Sequence, residues 1–301
     1  MKTKWTRADM PNLRGQTALI TGANRGLGLE IALGLSGAGA DVVIACRDAG
    51  KAHTAVATVQ AHAPQSRVTA LSVDMANAAS IRQLAQGFQQ QHAKLDLLVH
   101  NAAAIMAPLS RTAEGHELQI VTNHLGPFAL TGLLLDSLRA APAARVISTA
   151  SLAHRLTSGL DLDDPHFLHR PYREMDAYGA SKLAVLQYSF ELDRRLRRQG
   201  LPIRSIAAHP GYTATNLDLG NFFLRLSTRL FGQKPALGAL PALYAASSPA
   251  AEGGSYIGPG GFKELGGYPK VVDTRAEAKD ADAAARLWAW SEQLTGVHYL
   301  S

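Results

Sequence analysis

Tyr178 and Lys182 stand four residues apart in Tyr178-Gly179-Ala180-Ser181-Lys182, and that spacing makes two side chains neighbours on a helix. A phenol ordinarily titrates near pH ~10, too high for acid–base work at neutrality. A fixed ammonium beside it favours the phenolate and lowers that value. A phenol tuned in this way can give a proton to a carbonyl oxygen or take one from an alcohol. Taken alone, the pair also fits an aromatic residue at a helix start with a solvated lysine one turn on. The elements that carry it must decide.

The pair opens a segment, Tyr178 to Leu196, whose apolar residues Leu183, Leu186, Phe190, Leu192 and Leu196 recur at helical spacing. Arg194, Arg195, Arg197 and Arg198 close it before Gly200, where cations suit the negative end of a helix. Far upstream, a short apolar run, Thr17 to Thr21, leads into Gly22-Ala23-Asn24-Arg25-Gly26-Leu27-Gly28 and then a helical stretch, Leu29 to Ser36. Glycines 22, 26 and 28 let a pyrophosphate approach backbone amides at a helix N-terminus. The strand before and the helix after give this loop its weight.

Strand and helix signals then alternate. Val42 to Cys46 reads as a strand and Asp48 to His62 as a helix; Arg67 to Val73, ending at Asp74, and Ser80 to His92 repeat the pattern. Leu95 to His100 is a fourth strand, running into Asn101-Ala102-Ala103, and Gly115 to Leu138 reads as one long helix carrying Asn123. Arg145 to Thr149 delivers Ser151, Ile203 to Ala208 ends in His209-Pro210-Gly211, and Gly254 to Ile257 is a seventh, glycine-rich candidate. Strands apolar on both faces, alternating with helices, predict an α/β fold: a Rossmann-type doubly wound parallel sheet of about seven strands, helices on both faces. Residues 1–301 show no internal repeat and no linker, so they are expected to form a single domain. Ligand then binds along the C-terminal ends of the strands.

Composition narrows the class. Apolar residues are 47% and charged residues 18% of 301, the profile of a globular enzyme. One cysteine, Cys46, excludes an internal disulfide and a multi-thiolate metal site. The eleven histidines are scattered, His166 and His169 being the one close pair, so no metal is expected. Net charge is +6, to which the arginines of the Tyr178 helix contribute. No aromatics interleave with them, so no nucleic acid is expected as partner. The polar first fifteen residues are no signal peptide and no later run is long enough to cross a bilayer, so a soluble, cytoplasmic protein without integral membrane contact is expected.

With the glycine loop, Asn123, Ser151, Tyr178 and Lys182 in this order, the chain resembles the short-chain dehydrogenase/reductase family from about Gly15 to about Gly261. Further shared motifs are Asp74 after the third strand, Asn101-Ala102, and Pro210-Gly211 with Thr213. Ala-Cys-Arg-Asp at 45–48, Asn-His-Leu-Gly at 123–126, Ser-Leu-Ala-His at 151–154 and His-Pro-Gly-Tyr at 209–212 look most like its retinol-dehydrogenase-like branch. Two features depart from the usual pattern. The family usually writes NNAG or NAG where this chain has His100-Asn101-Ala102-Ala103, and Ser151 and Tyr178 are further apart than in its shorter members.

The resemblance implies a catalytic set of Asn123, Ser151, Tyr178 and Lys182. Tyr178 would be the acid/base. Lys182 would lower its pKa and hold the nicotinamide ribose. Ser151 would hydrogen-bond the substrate carbonyl, and Asn123 would hold a water linking Lys182 to solvent. Cofactor contacts would fall on Gly22, Asn24, Arg25, Gly26, Leu27 and Gly28 of the loop, on Arg47, Asp74, Met75, Asn101 and Ala102, and on Tyr178, Lys182, Pro210, Gly211 and Thr213. The chemistry implied is hydride transfer between a nicotinamide and a hydrophobic, bulky ketone, aldehyde or alcohol. A catalytically silent cofactor sensor of the same fold is the alternative, although a sensor would be expected to lack the tyrosine or lysine. A serine hydrolase is disfavoured, since no GxSxG occurs.

NADP(H) is expected over NAD(H). NAD sites of this topology place an acidic residue about 20 positions past the loop, on the ribose 2′-hydroxyl. Here that place, 19 after Gly28, holds Arg47, and Arg25 can approach a 2′-phosphate from the other side. Asp48 is the adjacent competitor. Downstream, residues 212–235 are expected to form a substrate lid, with Phe222, Phe223, Leu226 and Leu230 on one helical face. Residues 262–301 are a C-terminal extension. Leu152 to Asp176 is expected to be a surface excursion that shields a subunit interface, favouring a monomer or homodimer over a tetramer.

Overall fold

The computed structural model describes residues 4–212 and 233–301. Most of the expected lid and Thr213 lie outside the described residues. Six parallel strands follow from the apolar runs: β1 (Thr17–Thr21), β2 (Asp41–Cys46), β3 (Val68–Ser72), β4 (Leu97–His100), β5 (Arg145–Thr149) and β6 (Arg204–Ala208). The central strand β4 is buried along its length, whereas the edge strand β3 buries only Val68 and alternates between half-buried and exposed residues after it. β7 (Tyr256–Pro259) pairs parallel with β6, and the sheet order is β3-β2-β1-β4-β5-β6-β7-β8.

The expected seven-strand parallel sheet is therefore corrected to eight strands, the last antiparallel. β8 (Pro269–Val271) pairs with β7 because the glycine-rich turn between them folds the chain straight back. Gly260 donates to the Tyr268 carbonyl at 2.7 Å and Gly261 to the Gly266 carbonyl at 2.9 Å. Proline is tolerated at such an edge, where no ladder donor is needed.

Around the sheet lie α1 (Gly26–Gly37), α2 (Ala49–His62) and α3 (Ala78–Gln91). Successive strand residues point to opposite faces and so build two cores. Leu19, Val43, Leu98 and Val146 face one way; Ile20, Ile44, Val99 and Ile147 face the other. Each such side chain contributes about 1.5–3 kcal/mol when fully buried.

The long helix expected over Gly115 to Leu138 is broken. It consists of α4 (Leu118–Ile120), a π-helical turn (Val121–Leu125), α5 (Gly126–Leu133) and α6 (Leu135–Arg139). Pro127 has no N–H to return to the Asn123 carbonyl four residues back, so the α-helical ladder opens at Asn123. The catalytic candidate thus sits at the irregularity.

α7 (Glu174–Arg198) carries Tyr178 and Lys182 and begins a turn earlier than its periodicity suggests. Its terminal arginines are paired within the fold. Arg194 and Arg195 meet the buried Glu191 at 2.9 and 2.6 Å, and Arg197 meets the buried Asp193 at 2.6 Å. After β6 come α8 (Pro235–Gly238) and α9 (Leu240–Ser247).

The C-terminal residues are not an appendage. α10 (Ala281–Thr295) and the tail after it insert Trp288, Val297, Tyr299 and Leu300 into the core formed by α3, α5 and α7. Trp288 lies 5.0 Å from the Phe128 ring and 4.4 Å under the Arg195 guanidinium. This helix packs along α7. The 152–176 excursion meets only the first turns of α7, where Thr157 donates to Asp176 at 2.9 Å, and ties to the 105–117 segment: Tyr172 donates to the Ala107 carbonyl at 2.9 Å, and Arg111 to that of His166 at 2.8 Å.

Candidate active site

The order of the sheet makes β1 and β4 neighbours although they are not consecutive, so a crevice opens at their C-terminal ends. At one wall is the glycine loop. Gly28 is required by packing: a Cβ there would lie 2.5 Å from both Asn101 Nδ2 and the Gly22 carbonyl. Asn101 closes the loop from the far side, donating to the carbonyls of Thr21 at 3.0 Å and Gly22 at 3.2 Å. Thr21 Oγ1 in turn accepts from the backbone of Asn101 and Ala102, at 3.0 and 3.1 Å. Thr21 was not singled out by sequence, although it is the threonine of the loop's own motif. The side chain of Asn101 therefore holds the loop. Ala103, the departure from the usual glycine, is not among the residues with positive φ and fits without backbone strain.

No side chain caps α1, so the N–H groups of Gly26, Leu27 and Gly28 have no acceptor among the described residues. Such a helix start receives an anion. Arg25 at the loop and Arg47 after β2 are both exposed, and neither side chain has a hydrogen bond or ion pair among the described residues. Asp48 is differently engaged: its carboxylate caps α2 through the Lys51 amide at 3.0 Å and meets the Lys51 ammonium at 3.0 Å. These contacts hold its carboxyl below the usual range. The residues present thus fit a nicotinamide dinucleotide at this loop. Asp74 and Met75 follow β3; Asp74 accepts from the Ala76 amide at 2.9 Å and Met75 is buried.

Across the crevice, Ser151 follows β5 and caps the short helical turn Leu152–Arg155. Gly179 lets α7 press onto that turn, since a Cβ would lie 2.7 Å from the Ala153 carbonyl and 2.9 Å from Thr157 Cβ. This close approach brings Tyr178 into hydrogen bond with Ser151. One turn on, Lys182 Nζ donates to the Thr149 carbonyl at 2.8 Å and lies 5.7 Å from the Tyr178 ring centroid. The structure thus joins Ser151, Tyr178 and Lys182 from two elements.

The expected lowering of the Tyr178 pKa is corrected. Burial pushes the phenol up to about 12, and the Ser151 hydrogen bond offsets only part of that. Burial also pulls the Lys182 ammonium down to about 7. Both charged forms lose water, and desolvation outweighs their proximity. The tyrosine is accordingly a loaded proton donor at neutral pH.

Asn123 is corrected in detail. Its Nδ2 donates to the Ala104 carbonyl at 2.9 Å and to Ser181 Oγ at 2.8 Å, and its Oδ1 accepts from the Ala104 amide at 2.8 Å. Ser181 Oγ continues to the Tyr178 carbonyl at 2.7 Å. The side-chain amide is thus a brace between the β4 loop and α7 rather than a holder of water. Ser181 lies inside the Tyr-Lys motif, but only the fold shows its partner.

Gly211 follows β6, and its amide donates to His209 Nδ1 at 3.2 Å, while His209 Nε2 lies 3.0 Å from Glu264. Pro210 accepts at its carbonyl from Gln233. His166 meets His116 at 3.0 Å rather than His169, and no cluster able to hold a metal occurs among the described residues.

Comparison with known proteins agrees with this geometry. The family described as short chain dehydrogenase matches residues 16–160. Retinol dehydrogenase 13 of Homo sapiens is 35% identical, covering 97% of this chain and 87% of its own. Polyprenol dehydrogenase of Mus musculus is 34% identical, covering 96% and 86%. Among solved structures, an uncharacterised protein from Mycobacterium paratuberculosis is 39% identical with TM-score 0.82, covering 99% of both chains. The NADP active-site complex of RhlG from Pseudomonas aeruginosa is 28% identical with TM-score 0.66, covering 85% and 96%. With the glycine loop, Ser151, Tyr178 and Lys182 in place, the chain belongs to the short-chain dehydrogenase family and is an oxidoreductase similar to the retinol dehydrogenases.

Proposed function

We propose that the protein is an NADP(H)-dependent carbonyl reductase or alcohol dehydrogenase acting on bulky, hydrophobic substrates. The observation that carries the reaction is the group formed by half-buried Ser151 with buried Tyr178 and Lys182. Ser151 donates to the substrate oxygen and fixes its position. Tyr178, protonated at neutral pH, hands its proton to that oxygen as charge develops. The nicotinamide supplies the hydride. Lys182 offers positive charge beside the phenolate that remains.

The exposed Arg25 and Arg47 support the phosphorylated cofactor, as does the NADP named in the RhlG structure. The names of the retinol and polyprenol relatives support a hydrophobic alcohol or carbonyl substrate. A reducing, cytoplasmic location remains a proposal, consistent with the single buried Cys46. The test is NADPH oxidation with ketones and aldehydes of graded size. Turnover rising with apolar bulk is expected. Tight NADPH binding with no turnover across the panel would favour the silent sensor.

A monomer, with a homodimer next, is proposed over a tetramer. α10 and the tail cover the face shared by α5 and α7, burying Trp288 and Tyr299 on it. That apolar face is already occupied within one chain. Light scattering should return a mass near that of a single chain; a stable tetramer would end the proposal.

A further inference from the structure

A small cavity of about 10 Å³ lies beside Lys182, walled in part by His100, Asn123, Ser148, Thr149 and Tyr188. A space of about 10–15 Å³ holds one water when two to four polar groups surround it. Two polar side chains of its walls, on the sheet face that α7 covers, have an atom with no hydrogen-bond partner among the described residues: His100 at Nδ1 and Ser148 at Oγ. Buried polar atoms are seldom left unmet, so two at one cavity, beside an ammonium with donors to spare, point to a bound molecule.

The state of His100 follows from its neighbours. Its Nε2 lies 2.8 Å from Thr131 Oγ1. That hydroxyl donates its one proton to the Pro127 carbonyl at 2.9 Å. Thr131 can then only accept from His100, which places the ring proton on Nε2 and leaves Nδ1 a bare acceptor. Burial keeps the imidazole neutral, its pKa down at about 3. On the other side, Lys182 has one acceptor, the Thr149 carbonyl, for three N–H donors.

We propose that one water in this cavity accepts from Lys182 Nζ and donates to His100 Nδ1, making His100 a positioning residue for the Lys182 ammonium. The water's second proton goes to Ser148 Oγ, which has no other partner among the described residues. Through this water the lysine gains a second acceptor, and its charged form survives burial to a higher pH. The titratable groups facing it among the described residues are Tyr178 and Tyr188 from α7 and His100 from β4. β5 and the π-helical turn contribute Ser148, Thr149 and Asn123, which carry no charge.

The proposal rests on the reductase reading for its kinetic consequence, so the test has an arm independent of turnover. In cofactor-free protein, the Lys182 titration is followed by NMR with lysine labelled at Cε. His100→Leu removes the acceptor and should lower that pKa by about one unit, the scale of one hydrogen bond to a charged group. His100→Asn restores an acceptor oxygen and should return it to the wild-type value. In turnover at pH 8, the leucine variant should lose about tenfold in kcat. KM and the NADPH Kd should stay within about twofold, and the asparagine variant should recover the rate.

A high-resolution crystal structure of the wild type should show ordered density within hydrogen-bonding reach of both Nζ and Nδ1. An empty cavity, an unmoved Lys182 titration in His100→Leu, or equal losses in both variants would overturn the proposal. Should the leucine variant fail to fold, the density and the asparagine variant still decide it. A wild type without turnover would sink the reductase reading alone, since the titration is measured without it.

Discussion

Tyr178→Phe should lower kcat for carbonyl reduction by about 10²–10⁴-fold, the usual contribution of a positioned acid. The substitution removes one hydroxyl and keeps the ring, which is buried between α7 and the Ser151 turn. Packing therefore changes little, and NADPH affinity by fluorescence titration should stay within about twofold. The large effect is expected because burial keeps the phenol protonated, with its pKa up at about 12, so it is the group holding the proton at pH 7. Ser151 would remain to bind the carbonyl, but it has no proton to spare without becoming an alkoxide. Steady-state kinetics with any ketone that turns over will decide. A variant keeping more than about a third of the wild-type rate would show that the acid lies elsewhere.

Arg47→Asp should invert the choice of cofactor. The wild type is expected to prefer NADPH over NADH by at least about tenfold in kcat/KM, since one hydrogen bond to a charged group already corresponds to that ratio. The aspartate would repel a 2′-phosphate and accept from a 2′-hydroxyl, so NADPH use falls while NADH use rises. Arg25 remains on the other side and should leave some NADPH activity. Asp48 is a poor substitute reader, because its carboxylate is held by the Lys51 amide and ammonium at the start of α2. Measuring both cofactors in both proteins is sufficient. Equal use by the wild type, or an unchanged ratio in the variant, would show that Arg47 does not read the phosphate.

Much of this protein was legible in its sequence because the relevant signals are local. Apolar runs of strand length, glycines at 22, 26 and 28, and the four-residue step from Tyr178 to Lys182 each encode their own geometry. A parallel sheet with a crevice at its C-terminal edge follows from their order alone. The side on which Arg47 stands is likewise fixed by its place directly after β2.

Other features depend on contacts between segments far apart in the chain, and no local pattern carries them. β8 exists only because β7 offers an edge. α10, expected as part of an extension, is core because Phe128 and Tyr188 present an aromatic face to Trp288 and Tyr299. The break at Asn123 was written in Pro127, yet helical periodicity on both sides masked it.

The candidate site divides in the same way. Residue types and order identified Ser151, Tyr178 and Lys182, since their chemistry resides in the side chains themselves. Their protonation did not follow from spacing. A lysine one turn away suggests a lowered phenol pKa, but burial depends on everything packed around the pair, and here desolvation wins for both groups. Asn123 became a brace, and His100 acquired a defined tautomer, only when β4, α5 and α7 met. Sequence determined which groups could carry charge; the tertiary structure decided, through the water it excludes and the partners it supplies, which of them do.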